Sequence, residues 1–287
     1  MIPHKVCIRP SKHINISYFL EAWQSRRLLL SFIERDLRVR YKQTLMGIIW
    51  AVLPPFLSMF VFTLIVNMLG YAEKFGQNQE VPYSLFAFTS LLLWQFFANS
   101  ISNCTSALVS QRSLLTRIFF PRVLLPLAAV GTSLVDYIIG FLLLVGLSLW
   151  YTLNGGWSWN VTSLLVGIIA TVYAVLVAIA IGLWVAALNA RYRDVQYIVP
   201  FALQMMIFLS PVLYPLSLAR EFISPKFLFV YELNPFVGAL EYFRWAWLGV
   251  GEFPHDALIS SVIVTMLLML SGVYYFRVSE RVMVDVI

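Results

Sequence analysis

The chain has 287 residues, of which 60% are hydrophobic and 12% charged, and its mean hydropathy is +0.81. A soluble domain carries about 25% charged residues, and a chain this apolar lacks the polar groups to cover itself in water. The apolar runs are continuous rather than alternating, which excludes a β-barrel and predicts membrane-spanning helices. The net charge of +6 is read as a topology signal, so no nucleic-acid partner is expected.

The first 44 residues carry nine Lys/Arg and no continuous apolar stretch, so no cleavable signal peptide is expected. Residues 1–16 are polar and contain Pro3 and Pro10, which predicts a loosely ordered cytoplasmic arm. Ser17 is placed to cap a helix running to about Lys42. Phe19, Trp23, Leu30, Ile33 and Leu37 recur at helical spacing, with Arg27, Ser31, Glu34, Arg38 and Lys42 on a separate polar stripe. That is the pattern of an interfacial amphipathic helix, within an N-terminal unit of residues 1–44. Arg35, Arg38, Arg40 and Lys42 stand at the mouth of the first apolar run. Four cations there hold that end beside anionic headgroups in the cytoplasm.

Residues 45–287 form the membrane unit. Its predicted spans are residues 45–69, 84–109, 123–151, 161–188, 197–216 and 257–276, each near the roughly 20 residues a crossing needs. With both termini inside, the cytoplasmic pieces hold sixteen of the twenty Lys/Arg. This asymmetry fixes the orientation. Residues 219–256 predict an outer-side re-entrant helical hairpin around Asn234-Pro235-Phe236. Its two apolar pieces are short for spans, and two short tilted crossings are the alternative. Tyr231, Tyr242, Phe243, Trp245 and Trp247 read as an interface belt or as faces for stacking on sugar rings.

Three features bear on function. Gln95, Asn99 and Asn103 are four residues apart inside the second span. They either bond to neighbouring helices or line a path for a hydroxyl-rich substrate. Asp136 is the acidic residue deep in the third span, and it either pairs structurally or lines the same path. Ser110 to Arg122 is too short to cross. Its apolar face of Leu114, Leu115, Ile118 and Phe119, beside Arg112 and Arg117, lies either on lipid or in a partner's groove. Ala170, Ala174, Ala178, Gly182, Ala186 and Ala190 are four apart and predict a close-packing ridge.

Enzyme chemistry is not visible. No glycine precedes a lysine, so the phosphate-cradling loop GxxxxGK[ST] is absent. There is no HExxH, GxSxG or CxxC. His4, His13 and His255 are scattered without metal-ligand spacing. Cys7 and Cys104 fall in a tail and a span, so no disulfide is expected. One intramembrane carboxylate is a poor basis for ion coupling. Energy for transport is therefore expected from another chain.

The run RDLRVRYKQTLMGIIW from Arg35, followed by Pro54-Pro55, resembles the start of ABC-2 type permeases that export polysaccharides. Matching spots recur at Asn189 to Val195, at Ser210-Pro211 with Tyr214-Pro215, and at Asn234-Pro235-Phe236. The resemblance is to the O-antigen, capsule and teichoic-acid exporters of the cell inner membrane. It implies a homodimer of six-span subunits, and two copies of a separate ATPase subunit that bind ATP and magnesium. It implies a lipid-linked polysaccharide substrate. Arg35 and Arg38 of the amphipathic helix, with Arg112, Leu114, Leu115, Arg117, Ile118 and Phe119, would meet the ATPase. Gln95, Asn99, Asn103 and Asp136 would line the path. Asn234, Pro235, Tyr242 and Trp245 would form the outer gate. The alternatives are export of a small lipid or drug, or an ion-coupled carrier or channel.

Overall fold

Where water is absent, a backbone must satisfy its own N–H and C=O groups, and a helix does so within one segment. The computed structural model describes residues 23–42, 44, 47, 49–70, 81–117, 120–155, 157, 159–249 and 253–286, and among them it contains no strand. In chain order the helices are α1 (Arg26–Tyr41), α2 (Ile49–Met68), α3 (Tyr83–Ser110), α4 (Arg112–Arg117), α5 (Leu124–Leu153) and α6 (Thr162–Arg191). They continue as α7 (Val195–Leu209), α8 (Leu216–Phe222), α9 (Pro225–Glu232), α10 (Pro235–Leu248) and α11 (His255–Val286).

Five helices are long and apolar enough to cross a membrane: α2, α3, α5, α6 and the His255–Glu280 part of α11. The remaining predicted span, 197–216, is the 15-residue α7. It stops where Ser210 turns to extended backbone before Pro211, because a residue preceding proline is pushed out of the helical region. The predicted cap at Ser17 lies outside the described residues.

The bundle is built around α3. In the most apolar stretch of α3 78% of residues are buried, against 11% in α2. Polar residues survive inside α3 because they bond their own helix: Thr89 to the Leu85 carbonyl at 2.8 Å, Thr105 to that of Ile101 at 2.8 Å. Asn189 of α6 reaches across and donates to the Thr105 carbonyl at 2.6 Å. The small-residue ridge of α6 is buried along its whole length, from Ala170 to Ala190. Gly182 lies so close to α3 that a Cβ there would sit 2.8 Å from Cys104 Sγ. The predicted ridge is the packing seam. Cys104 itself is a buried free thiol.

At the other seam, α10 is enclosed by protein. Asn234 caps it by accepting from the Phe236 N–H at 3.1 Å, Pro235 sits in its first turn, and Gly249 ends it at φ +66°. Phe236 wedges between Trp94 and Phe97, with ring centroids 5.1 and 4.6 Å away. Phe243 and Trp247 are fully buried. They are core aromatics and serve neither as an interface belt nor as sugar faces.

Gly238 lets α10 rest on α11, because a Cβ there would collide with the Ala257 carbonyl and the Ser261 side chain. The backbone cannot step aside as a flexible side chain does. Gly238→Ala is therefore expected to cost about 1–3 kcal/mol by overpacking, read as a lower melting temperature in detergent. Gly146→Ala, which meets nothing within 4 Å, should leave it unchanged.

Candidate functional site

The Asp136 carboxylate sits almost halfway along α5 and is buried. An ionised carboxylate in such a place needs a cation and donors. Both come from the last turn of α1. Arg40 Nη1 donates to Asp136 Oδ2, and the Tyr41 hydroxyl donates to Oδ1 at 2.5 Å. Burial, and then the hydrogen bond and charge of Asp136, push the Tyr41 phenol up to about 12. Its proton is retained throughout the physiological range, so it remains a donor. The intramembrane acid is thus paired.

Two polar hollows flank this junction. The smaller, about 220 Å³, is lined by Arg40, Tyr41, Gln95, Asn99 and Asp136, with Trp50 and Pro54 of α2. The larger, about 590 Å³, lies between α1, α3 and α5 and is lined by Arg35, Asp36, Arg40, Asn103, Ser106 and Thr132 among others. Arg40 borders both. The predicted path residues are therefore divided: Gln95, Asn99 and Asp136 on one hollow, Asn103 on the other. Within them Gln95 Nε2 donates to Asn99 Oδ1 at 2.9 Å, and Asn103 Nδ2 to Ser133 Oγ at 3.0 Å. Amides and hydroxyls line both hollows together with apolar side chains such as Leu125, Ala129 and Ala51, and the lining cations already have acidic partners. Arg35 bonds Asp36 Oδ1 at 2.8 Å and Gln111 Oε1 at 3.1 Å.

The residues expected to meet an ATPase lie around the same end. Arg38 and Glu34 form the expected i,i+4 pair on the exposed side of α1. Arg112 begins the six-residue α4. Leu114 and Leu115 are half-buried against the main core. Arg117 closes α4, and Ile118 and Phe119 lie outside the described residues. At the start of α10, Asn234 donates to Ser210 Oγ at 3.2 Å, and the Pro235 carbonyl accepts from Ser261 Oγ at 2.5 Å. Tyr242 and Trp245 stack at 6.2 Å, and Trp245 meets Phe253 edge-on at 4.7 Å.

Sequence reasoning missed two things here. Arg40 counts among the topology cations and Tyr41 is not singled out, although a carboxylate in a span needs just such neighbours. Arg244 was counted as an outer loop charge, yet it is only 4% exposed. Its Nε donates to Ser90 Oγ at 2.8 Å, and its Nη1 to Glu241 Oε1 at 2.9 Å and to the Tyr214 carbonyl at 3.2 Å. Its guanidinium carbon lies 4.4 Å from the Phe86 ring centroid. The i,i+3 spacing of Glu241 and Arg244 inside an aromatic helix was the available signal. One arginine thereby joins α10, α3 and the turn before α8.

Helical structure among the described residues, with five helices long and apolar enough to cross a membrane, is that of a multi-pass membrane protein. Residues 27–248 match the ABC-2 type transporter family, and the chain belongs to that family. It is 32% identical over 222 residues to the O-antigen export system permease protein RfbA of Myxococcus xanthus, covering 77% of this chain and 80% of that one. It is 26% identical over 215 residues to the O-antigen export system permease protein RfbA of Klebsiella pneumoniae, covering 72% of this chain and 75% of that one.

Arg244→Met would leave Glu241 without its cation in a dry site, and should destabilise the protein by about 3–5 kcal/mol. Adding Glu241→Leu should recover part of the loss. Thermal unfolding of the single and double variants checks both.

Proposed function

We propose that this chain is the transmembrane subunit of an ATP-driven exporter that moves a lipid-linked polysaccharide, such as an O-antigen, out across the cytoplasmic membrane. Two copies form the conduit. Each meets one copy of a separate ATP-binding subunit, which holds ATP and magnesium. The chain's own residues do not suit a nucleotide, since no glycine-rich loop with its lysine is present in the sequence.

The observation that carries the reading is the pair of hollows beside α1. Their neutral amides and hydroxyls match a hydroxyl-rich polymer, and no cation there stands ready for a free anion. The names of the two relatives point to the same cargo. Full pairing of Asp136 weighs against an ion-coupled carrier, which needs an ionisable group free to load and unload.

In this reading both termini, α1 and α4 are cytoplasmic, in keeping with the Lys/Arg distribution. The α7 helix serves as the fifth of six spans, and α8 to α10 form a re-entrant unit from the outer side. Enclosure of α10 by protein meets the condition under which non-spanning backbone is tolerated at membrane depth. Asn234, Pro235, Tyr242 and Trp245 stand at its mouth as the exit. Closure of the ATPases on ATP displaces α1 and α4, and the spans move as rigid bodies. Hydrolysis acts through differential binding to two conformations.

The test is reconstitution. With the ATP-binding subunit and ATP, sealed vesicles should accumulate lipid-linked glycan; with this chain alone they should not. Uphill movement by the chain alone would overturn the proposal. Leu115→Asp with Arg117→Glu should abolish ATP-dependent export. Gln95→Leu with Asn99→Leu removes two hydrogen-bonding groups worth about 1 kcal/mol each, so the glycan concentration for half-maximal export should rise about thirtyfold.

A further inference from the structure

We infer that Arg40, Tyr41 and Asp136 form the joint through which movement of α1 is handed to α5, making them positioning residues of the transport cycle. The inference rests on the exporter reading for its cause of movement. It adds which bond carries that movement.

The geometry distinguishes two kinds of contact between α1 and α5. Near its middle, α1 lays Ile33 over Gly131, where a Cβ would lie 2.5 Å from Ile33 Cδ1, and Phe32 meets Phe120, which precedes α5, edge-on at 5.4 Å. Such apolar contacts are non-directional and permit sliding. At its end, α1 grips Asp136 by both carboxylate oxygens, one from Arg40 and one from Tyr41. Hydrogen bonds constrain distance and angle. A push on α1 therefore slips at Ile33 and is transmitted at Asp136.

The position of the grip suits a lever. Tyr41 is the last residue of α1, and Gly47 takes φ +49° before α2 begins at Ile49. Asp136 is twelve residues into α5, about 18 Å along its axis. The carboxylate end is dry and the arginine end is wet, with side-chain exposures of 9% and 37%. A buried carboxylate without its cation is strongly unfavourable, so the bond persists when α1 is displaced and α5 follows.

Other uses of the cluster fit less well. A proton relay needs a free carboxylate oxygen, and both are engaged. An anion site needs a spare cation, and Arg35 and Arg40, which line the larger hollow, are held by Asp36 and Asp136.

The experiment uses the full chain with its ATP-binding subunit in vesicles, with ATP hydrolysis and glycan export measured together at matched amounts of assembled complex. Asp136→Asn and Arg40→Gln should keep hydrolysis while export per ATP falls about fivefold or more, the low end of a typical coupling between sites. Arg40→Lys, which retains the one charged donor used, and the exchange of Arg40→Asp with Asp136→Arg should restore most of it. Single variants that export normally per ATP, or that lose hydrolysis and export in proportion, would overturn the joint. The chain alone gives a second readout. Spin labels at Arg27 on α1 and Leu142 on α5 should report one narrow distance, broadened by Asp136→Asn. An unchanged distance in that variant overturns the joint. A wild-type complex without ATP-dependent export overturns the exporter reading, and the spin-label distances then decide the joint independently.

Discussion

A carboxylate in an apolar helix dictates much of this structure. Asp136 is buried, and a buried ionised group is tolerated only with a partner close at hand. No cation lies on α3, between Tyr83 and Ser110. The partner comes from α1, and the demand fixes where α1 ends, how it lies on α5, and why the polar hollows open at that place. The cationic run of α1 thus has two tasks. Arg38 faces outward with Glu34, while Arg40 turns inward to the acid.

The hollows follow from the same arrangement. Where α1 meets α3 and α5 its side chains are charged or long, and they cannot fill space as tightly as Ala and Gly fill the α6 seam. Gaps remain beside the junction, and the groups that border them are those that tolerate water: Gln95, Asn99, Asn103, Ser106. The α6 seam shows the contrary case. There, close approach of backbones needs small residues at every fourth position, and no room is left for a ligand.

Much of this was written plainly in the sequence. Long apolar runs placed α2, α3, α5 and α6 to within four residues, and α11 begins within two residues of its predicted start but runs ten beyond its predicted end, because hydropathy reads the solvent directly. The α6 ridge was legible from spacing alone, and so was the break at Asn234-Pro235, where a capping side chain and a proline combine. The pairing of Asp136 was not legible, because Arg40 and Asp136 are far apart in sequence and only the packing of α1 on α5 unites them. Arg244 was hidden for a related reason. Counting charges assumes that an arginine between apolar pieces faces water, yet Arg244 donates to Ser90, Glu241 and a carbonyl inside the protein. The length of α7 was misjudged because Ser210-Pro211 was read as a break within the end of a span rather than as its terminus.

Two ion pairs tie further elements to one close-packed block. Arg40 with Asp136 anchors α1; Arg244 with Glu241 anchors α10 to α3 and the turn before α8. Within it α3, α6, α10 and α11 interlock through Phe236, the α6 ridge and Gly238, and a core packed to that density moves as a unit rather than deforming. By contrast, α2 and α7 expose most of their apolar side chains, Phe60 and Leu64 on one and Phe201 and Phe208 on the other. Displacement of α1 then has a definite consequence. It cannot be absorbed inside the block, so it is taken up where the block meets α2 and α7.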